Sequence, residues 1–382
     1  MEIPFVNLTR MHEAMKQELD AAYSRVLASS SFILGKEVEA FEVEFSKFVG
    51  AKRTLGVACG TDALVLMVKS LGIGKGDEVI VPSHTFVATP FAVSLAGAKP
   101  VFAEVDDYFC LSPESVELAI SKSKRIKAIM PVHLYGQCAD MGRLSEIAQA
   151  HNLLLLEDAC QAHGSSLNGK NAGTFGKAAA FSFYPGKNLG GLGDAGAVCT
   201  SDDALADAVA AMRNYGSKVK YYHDTLGFNS RLDGLQAAFL SAKLPHMHGW
   251  NEQRRALAHK YVAGLEELEK RSLVRLPRER PGGHHVYHLF VVQVHEGIRD
   301  AVIKQLNDAG VRAQIHYPIP CHQQKAYIEH LPFRKMPLRN TEKLARRILS
   351  LPIWPGMTDE EVAYVISKAS EIVAGHAKKV GR

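Results

Sequence analysis

Lys187 lies in the run Ser182-Phe183-Tyr184-Pro185-Gly186-Lys187-Asn188-Leu189-Gly190-Gly191-Leu192-Gly193-Asp194-Ala195-Gly196. An apolar, strand-like stretch (Ala178 to Phe183) precedes it and a string of glycines follows. A lysine where the backbone is this tightly specified is poorly explained as a solvated surface charge. Burial lowers a lysine's pKa, and the neutral amine can form a Schiff base with an aldehyde. That chemistry points to pyridoxal phosphate, the electron sink in reactions of amines and carbonyls. Asp158 closes a second apolar run, Leu153-Leu154-Leu155-Leu156-Glu157-Asp158. A carboxylate at the carboxyl end of a buried strand faces the ligand cleft of an open α/β sheet. There it can keep the cofactor's ring nitrogen protonated. Taken alone, Asp158 could equally cap the next turn.

Other residues carry weaker signals. Gly60-Thr61-Asp62 opens a helix, whose free N–H groups and positive end suit a phosphate; an ordinary N-cap reads the same way. Ser182 could add a hydroxyl to that phosphate or be a satisfied buried serine. Phe86 follows a strand and could stack on a pyridine ring, although core packing explains an isolated phenylalanine as well. His163 stands five residues after Asp158 and could orient the cofactor or the carboxylate, although a lone histidine is more often structural. The stretch Gly191 to Gly196 satisfies GxGxxG, but an apolar strand-like segment follows it where a dinucleotide site needs a helix. His284-His285-Val286-Tyr287-His288 reads as a polar strand entry, with no metal partner at matching spacing.

Several elements must position these groups. Helices are expected over 11–28, 36–49, 61–71, 85–97, 113–122 and 140–151, and strands over 78–81, 99–103, 126–132, 153–156, 178–183 and 197–200. This alternation predicts an α/β fold with a mostly parallel sheet. A helical pattern over 233–265 is interrupted near Pro245. Beyond it come a strand at 288–294, a helix at 298–309, a strand at 311–316 and a final amphipathic helix from Asp359. We expect a large domain over 1–245 and a smaller α+β domain over 246–382.

The chain of 382 residues is 47% apolar and 22% charged, enough for a sizeable core without disulfides. Its 45 basic and 40 acidic residues leave a net charge of +5, spread along the chain. That suits an anionic small molecule and argues against nucleic acid as a partner. The one basic concentration, Lys378-Lys379-Val380-Gly381-Arg382, is expected to be a solvated tail. Six scattered cysteines form no CxxC pair, as expected in a reducing cytoplasm. No apolar run nears the roughly 20 residues of a membrane helix, and no signal peptide is expected.

Together these blocks resemble the DegT/DnrJ/EryC1/StrS family of fold-type I pyridoxal-phosphate sugar aminotransferases. The matching segments are Cys59 to Leu64, Pro82 to Thr89, Glu157 to Gly164, the Lys187 block, Gly227 to Asp233 and His316-Tyr317-Pro318, in family order. The resemblance implies a large domain with a mostly parallel seven-stranded sheet and a smaller C-terminal α+β domain. It implies that Lys187 is the Schiff-base lysine and proton shuttle, Asp158 the pyridinium partner and Phe86 the stacking aromatic. Gly60, Thr61 and Ser182, with Asp62 beside them, look like the phosphate site. Gln161 resembles the contact to the ring hydroxyl, and His163 a residue close to the cofactor. Asn229 resembles an asparagine reaching the phosphate from the neighbouring subunit of a homodimer. Tyr184, His316 and Tyr317 fall among the sugar-nucleotide contacts; Arg213, Lys218 and Lys220 lie in a tyrosine-rich loop and could meet the diphosphate or equally be solvated surface charges. The family substitutes Ser for Cys59 and Ala for Gly191, neither essential to the chemistry. The Phe-Tyr-Pro-Gly-Lys-Asn-Leu-Gly wording resembles enzymes that aminate C3 of a dTDP-3-keto-6-deoxyhexose. L-Glutamate is the implied donor, leaving 2-oxoglutarate, with pyridoxamine phosphate between the half-reactions. The alternatives are a C4 or UDP-linked substrate, a sugar dehydratase of the same family, and a non-catalytic regulator; the dehydratase branch has His where Lys187 stands.

Overall fold

The computed structural model describes residues 1–379, with side chains through His376; Val380-Gly381-Arg382 and the tail lysines' side chains lie outside the described residues. At its centre is an eight-stranded sheet ordered Arg53–Val57, Gly196–Thr200, Ala178–Ser182, Leu154–Asp158, Ile126–Ile129, Glu78–Pro82, Lys99–Ala103 and Arg334–Lys335. Only Gly196–Thr200 runs against its neighbours. The sheet is thus the expected seven strands plus a two-residue edge strand from far along the chain. The GxGxxG stretch does run into a strand, Gly196–Thr200.

Helix Gly60–Ser70 follows the first strand and is buried from Ala63 to Val68 on nearly all sides. A helix apolar all round must be enclosed, and this one packs with Val57, Val81, Ala180 and Val198 in the core on one face of the sheet. Helices Pro113–Lys122 and Met141–Ala150 cover the other face. Each begins at a side-chain cap, Ser112 onto Ser115 N–H and Asp140 onto Arg143 N–H, which satisfies an orphan donor.

A second core surrounds the sheet of Val274–Arg275, Phe290–Val294 and Ile348–Leu351. Trp354, Tyr261 and Phe290 fill it, together with Val362 and Val365 of helix Asp359–Lys379. Ile3 is also buried there, its N–H on Gly310 O at 2.8 Å. The long helical pattern resolves into Gly234–Lys243, one 3-10 turn at Leu244–His246, and Met247–Lys270. Pro245 makes the break, since it cannot donate into a continuing helix.

Three expectations differ from the structure. The helix over 11–28 is two, Leu8–Ala14 and Lys16–Ser29. Arg53–Val57 is a strand that the pattern did not mark. Residues 311–316 form only single bridges at Val311 and Gln314, and the third strand is Ile348–Leu351. Gln314 pairs with Ser350 and the chain then bends, bringing His316 and Tyr317 to the cleft. Among the described residues, no helix is long and apolar enough to cross a membrane.

Candidate active site

Side chains at the carboxyl ends of the parallel strands meet in one cleft of about 860 Å³. That is where an open α/β sheet binds ligands, and the size suits a cofactor with substrate. Gly60 and Thr61 follow the first strand, Phe86 the second, Asp158 and Gln161 the fifth in chain order, and Ser182, Tyr184 and Lys187 the sixth. His316 and Tyr317 line the opposite wall. The structure thus gathers ten of the expected residues, drawn from segments up to 257 residues apart, around one space.

Lys187 sits in a loop closed by Gly191 N–H onto Phe183 O and Lys187 N–H onto Tyr184 O, both 2.8 Å. Its neighbour Asn188 donates to Asn251 Oδ1 at 2.9 Å and Val286 O at 3.1 Å, so the loop is anchored to the second core. The residue is half-exposed through the cleft mouth. Its amine is nevertheless desolvated, and burial holds its pKa below the ordinary lysine value while Cys160 and Asp158 offset part of the shift.

Asp158 is buried, and both carboxylate oxygens are engaged. Thr89 Oγ1 donates to Oδ2 at 2.7 Å and Cys160 N–H to Oδ1 at 3.2 Å. Since Thr89 spends its proton there, Thr85 donates to Thr89 across 3.0 Å. The preceding residue is fixed as firmly. Glu157 accepts from Gly173 and Gly176 N–H at 2.7 Å each, and from His133 at 2.9 Å. His133 Nδ1 accepts from Ala139 N–H, so the His133 proton on Glu157 is that of Nε2.

Gln161 Oε1 accepts from Tyr135 N–H at 2.8 Å and its amide donates to the Tyr317 hydroxyl at 3.1 Å. One amide proton of Gln161 is left for a ligand. The Tyr317 ring lies 5.6 Å from that of Phe86, and Phe86 is 52% exposed to the cleft. The Tyr135 hydroxyl donates to His316 O and accepts from His84 Nε2. His316 stacks on Phe5 at 5.3 Å and pairs with Ser350 Oγ; burial, then Lys187, lowers its pKa to about 4.

Gly60 and Ser182 fit a phosphate by contact rather than by sequence alone. A Cβ on Gly60 would lie 2.5 Å from Ser182 Cβ, so glycine lets the helix start and the serine hydroxyl meet. Gly60→Ala is expected to lower stability by about 1–3 kcal/mol through overpacking. Its cofactor affinity, measured by equilibrium dialysis, should fall more than its Tm suggests.

Six expected contacts stand elsewhere. The carboxylate of Asp62 turns from the cleft and accepts from Ser230 Oγ at 2.6 Å, because the helix rotates it past Thr61. His163 does not line the cleft; the turn after Asp158 folds its ring under the sheet, against Phe45, Phe181 and Phe183. Neither of its ring nitrogens is hydrogen-bonded among the described residues. Burial and Lys187 lower its pKa to about 3. Arg213 is buried and committed to Glu42 and to Gly56 O at 2.7 Å, which removes it from the substrate contacts expected of it. Asn229, Lys218 and Lys220 are exposed outside this chain's cleft. The pattern did not mark Phe5, Val6, Leu8 or Ile353 and read His288 only as part of a polar strand entry, yet all five line the cleft. They are apolar or histidine residues whose role arises only from tertiary placement.

The chain matches the model of the DegT/DnrJ/EryC1/StrS aminotransferase family over residues 13–370. It is 45% identical over 370 residues to the dTDP-3-amino-3,4,6-trideoxy-alpha-D-glucose transaminase of Streptomyces venezuelae, covering 97% of this chain and 96% of that one. It is 43% identical over 364 residues to the UDP-N-acetyl-3-dehydro-alpha-D-glucosamine 3-aminotransferase of Acidithiobacillus ferrooxidans, covering 95% and 96%. The crystal structure of S. venezuelae DesV in complex with a ketimine intermediate superposes with a TM-score of 0.92, at 45% identity, covering 97% of this chain and 98% of that one. This chain is a member of the DegT/DnrJ/EryC1/StrS aminotransferase family.

Proposed function

We propose that this chain uses pyridoxal phosphate to move the amino group of L-glutamate to C3 of a nucleotide-linked keto sugar, a dTDP-3-keto-6-deoxyhexose. The observation that carries the reading is the pairing, in one cleft, of a desolvated lysine amine with a buried carboxylate held by two donors. When bound, the cofactor supplies an aldehyde and a ring that draws electrons from the reacting carbon. Lys187 would hold the aldehyde, Asp158 the ring nitrogen, Phe86 one face of the ring, and Gln161 its hydroxyl. Thr61, the amide of Gly60 and Ser182 would hold the phosphate. The Lys187 amine would take a proton from the substrate carbon and later return one. Burial favours that role because it keeps more of the amine neutral near pH 7. Thr89 and Cys160 N–H keep the Asp158 carboxylate in one orientation throughout.

His316 and Tyr317, with Tyr184, are placed to meet the sugar. Support for C3 comes from the Tyr184-Pro185-Gly186-Lys187-Asn188 wording and from the 3-amino products that relatives are named for. We infer a homodimer in which Asn229, with Lys218 and Lys220 near it, reaches a second copy's cleft. The segment around it exposes Tyr215, Val219, Tyr221, Tyr222, Leu226 and Phe228, an apolar surface suited to self-association. We also infer a division of the chain near residue 245, since helix Met247–Lys270 carries side chains of the second core.

Mass spectrometry of products from dTDP- and UDP-linked 3-keto and 4-keto sugars incubated with glutamate tests the substrate. We expect amination of the dTDP-3-keto-6-deoxyhexose; turnover of only 4-keto or only UDP-linked sugars would reject that choice.

A further inference from the structure

We propose that Lys243 is a positioning residue for the reaction, its buried amine fixing the loop that carries Lys187 and joining that loop to the N-terminal wall of the cleft. The inference rests on Lys187 being the cofactor lysine.

Lys243 ends helix Gly234–Lys243 and is 0% exposed. Its Nζ donates to Gly190 O at 2.7 Å and to His12 Nε2 at 3.0 Å. It makes no ion pair among the described residues. An unpaired buried ammonium is a poor way to stabilise a fold, because an apolar side chain of similar volume avoids the desolvation cost. Burial lowers its pKa to about 8, so at neutral pH it still holds three donors. A charged donor on a carbonyl makes one of the stronger hydrogen bonds available to a loop.

The carbonyl it holds lies three residues beyond Lys187. Gly190 is itself pressed against the start of the same loop, since a Cβ there would lie 2.2 Å from Pro185 O. Gln236, two turns earlier on the same helix, accepts from Leu192 N–H at 2.8 Å. One helix therefore grips the glycine run at two points, while Asn188 is held from the other side by Asn251 and Val286. The second partner, His12, lies on helix Leu8–Ala14, at the start of which Leu8 joins Phe5 and Val6 in the cleft wall. A single amine thus ties the reactive lysine's loop to the segment facing the substrate. Without it the loop keeps its neck at Phe183 and Gly191 and the Gln236 hold on Leu192 but loses the hold on Gly190 and the tie to His12, and a shift of about 1 Å at a reacting group costs roughly 100-fold in rate.

Lys243→Met keeps the length and apolar stem and removes the donor; Gln236→Leu removes the second grip and leaves Lys243. The direct readout is the rate at which apo-protein couples pyridoxal phosphate to Lys187, followed by borohydride quenching and peptide mass. Lys243→Met is expected to couple about 10–100-fold more slowly, with kcat reduced in parallel, the KM for glutamate within about two-fold, and an unchanged Tm. Gln236→Leu should move the same way by a smaller factor; should Lys243→Met fail to fold, His12→Leu, which removes the amine's second partner and its tie to the N-terminal wall, carries the test with the same expected direction. Coupling at the wild-type rate in the folded variants would overturn the proposal. Wild-type protein that couples at no lysine, or at another one, would instead reject the reading of Lys187 on which it rests.

Discussion

Replacing Lys187 with alanine is expected to remove the visible absorbance of the lysine-bound cofactor and to lower turnover by roughly 10,000-fold or more. Both effects have one origin, since the same amine holds the aldehyde and moves the proton. The substitution leaves the loop's backbone closures at Phe183, Tyr184 and Gly191 in place and removes an amine with no side-chain hydrogen bond among the described residues. Tm should therefore change little. Asp158 with its donors, and the contact of Gly60 with Ser182, also remain, so the variant should still bind pyridoxal phosphate non-covalently. Spectra of the purified variant with and without added cofactor, and single-turnover amination assays, check both halves. An unchanged visible spectrum is incompatible with the assignment.

The second large effect is steep loss of stability in mild acid. His84, His163 and His285 are all almost wholly buried, and burial lowers their pKa values to about 4, about 3 and about 3. In the unfolded chain each returns to an ordinary value near 6.5. Above pH 6.5 both states are neutral and the histidines do not matter. Below it the unfolded chain binds protons that the native state refuses, so protonation drives unfolding. Each histidine contributes a slope of about 1.4 kcal/mol per pH unit once well below 6.5, and the three together about 4 kcal/mol. Urea unfolding midpoints at pH 7.5, 6.0 and 5.0 should fall accordingly. His163→Leu, which keeps an apolar group among Phe45, Phe181 and Phe183, should lower the slope by about 1.4 kcal/mol per pH unit. Midpoints that stay level to pH 5 would show that these rings are solvated or paired in the native state.

The parts of the site nearest the sheet were legible in the sequence because strand ends and helix starts leave a local signature. Asp158 closes an apolar run, Thr61 opens a helix behind a glycine, and Lys187 stands between a strand and a glycine loop. Each landed on the cleft. Sequence cannot show which way a side chain turns within such a segment. Asp62 and His163 lie one and two residues from true cleft residues, yet one rotates to Ser230 and the other folds under the sheet. Arg213 read as a loop cation because Glu42, its partner, is 171 residues away. Lys243 carries no signal in the sequence for the same reason; its significance depends on His12 and Gly190, which only the fold brings together. The strand Ile348–Leu351 was passed over because four residues ending at a proline carry too little alternation to count.

The central claim is that Lys187 and no other lysine holds the cofactor for amino transfer. Borohydride reduction of the pyridoxal-phosphate-loaded protein, followed by digestion and tandem mass spectrometry, tests it most directly. The account predicts one stoichiometric cofactor adduct, on the peptide containing Lys187, and its disappearance when glutamate is added before reduction. An adduct on Lys243 or a surface lysine, or one that glutamate leaves in place, would contradict it.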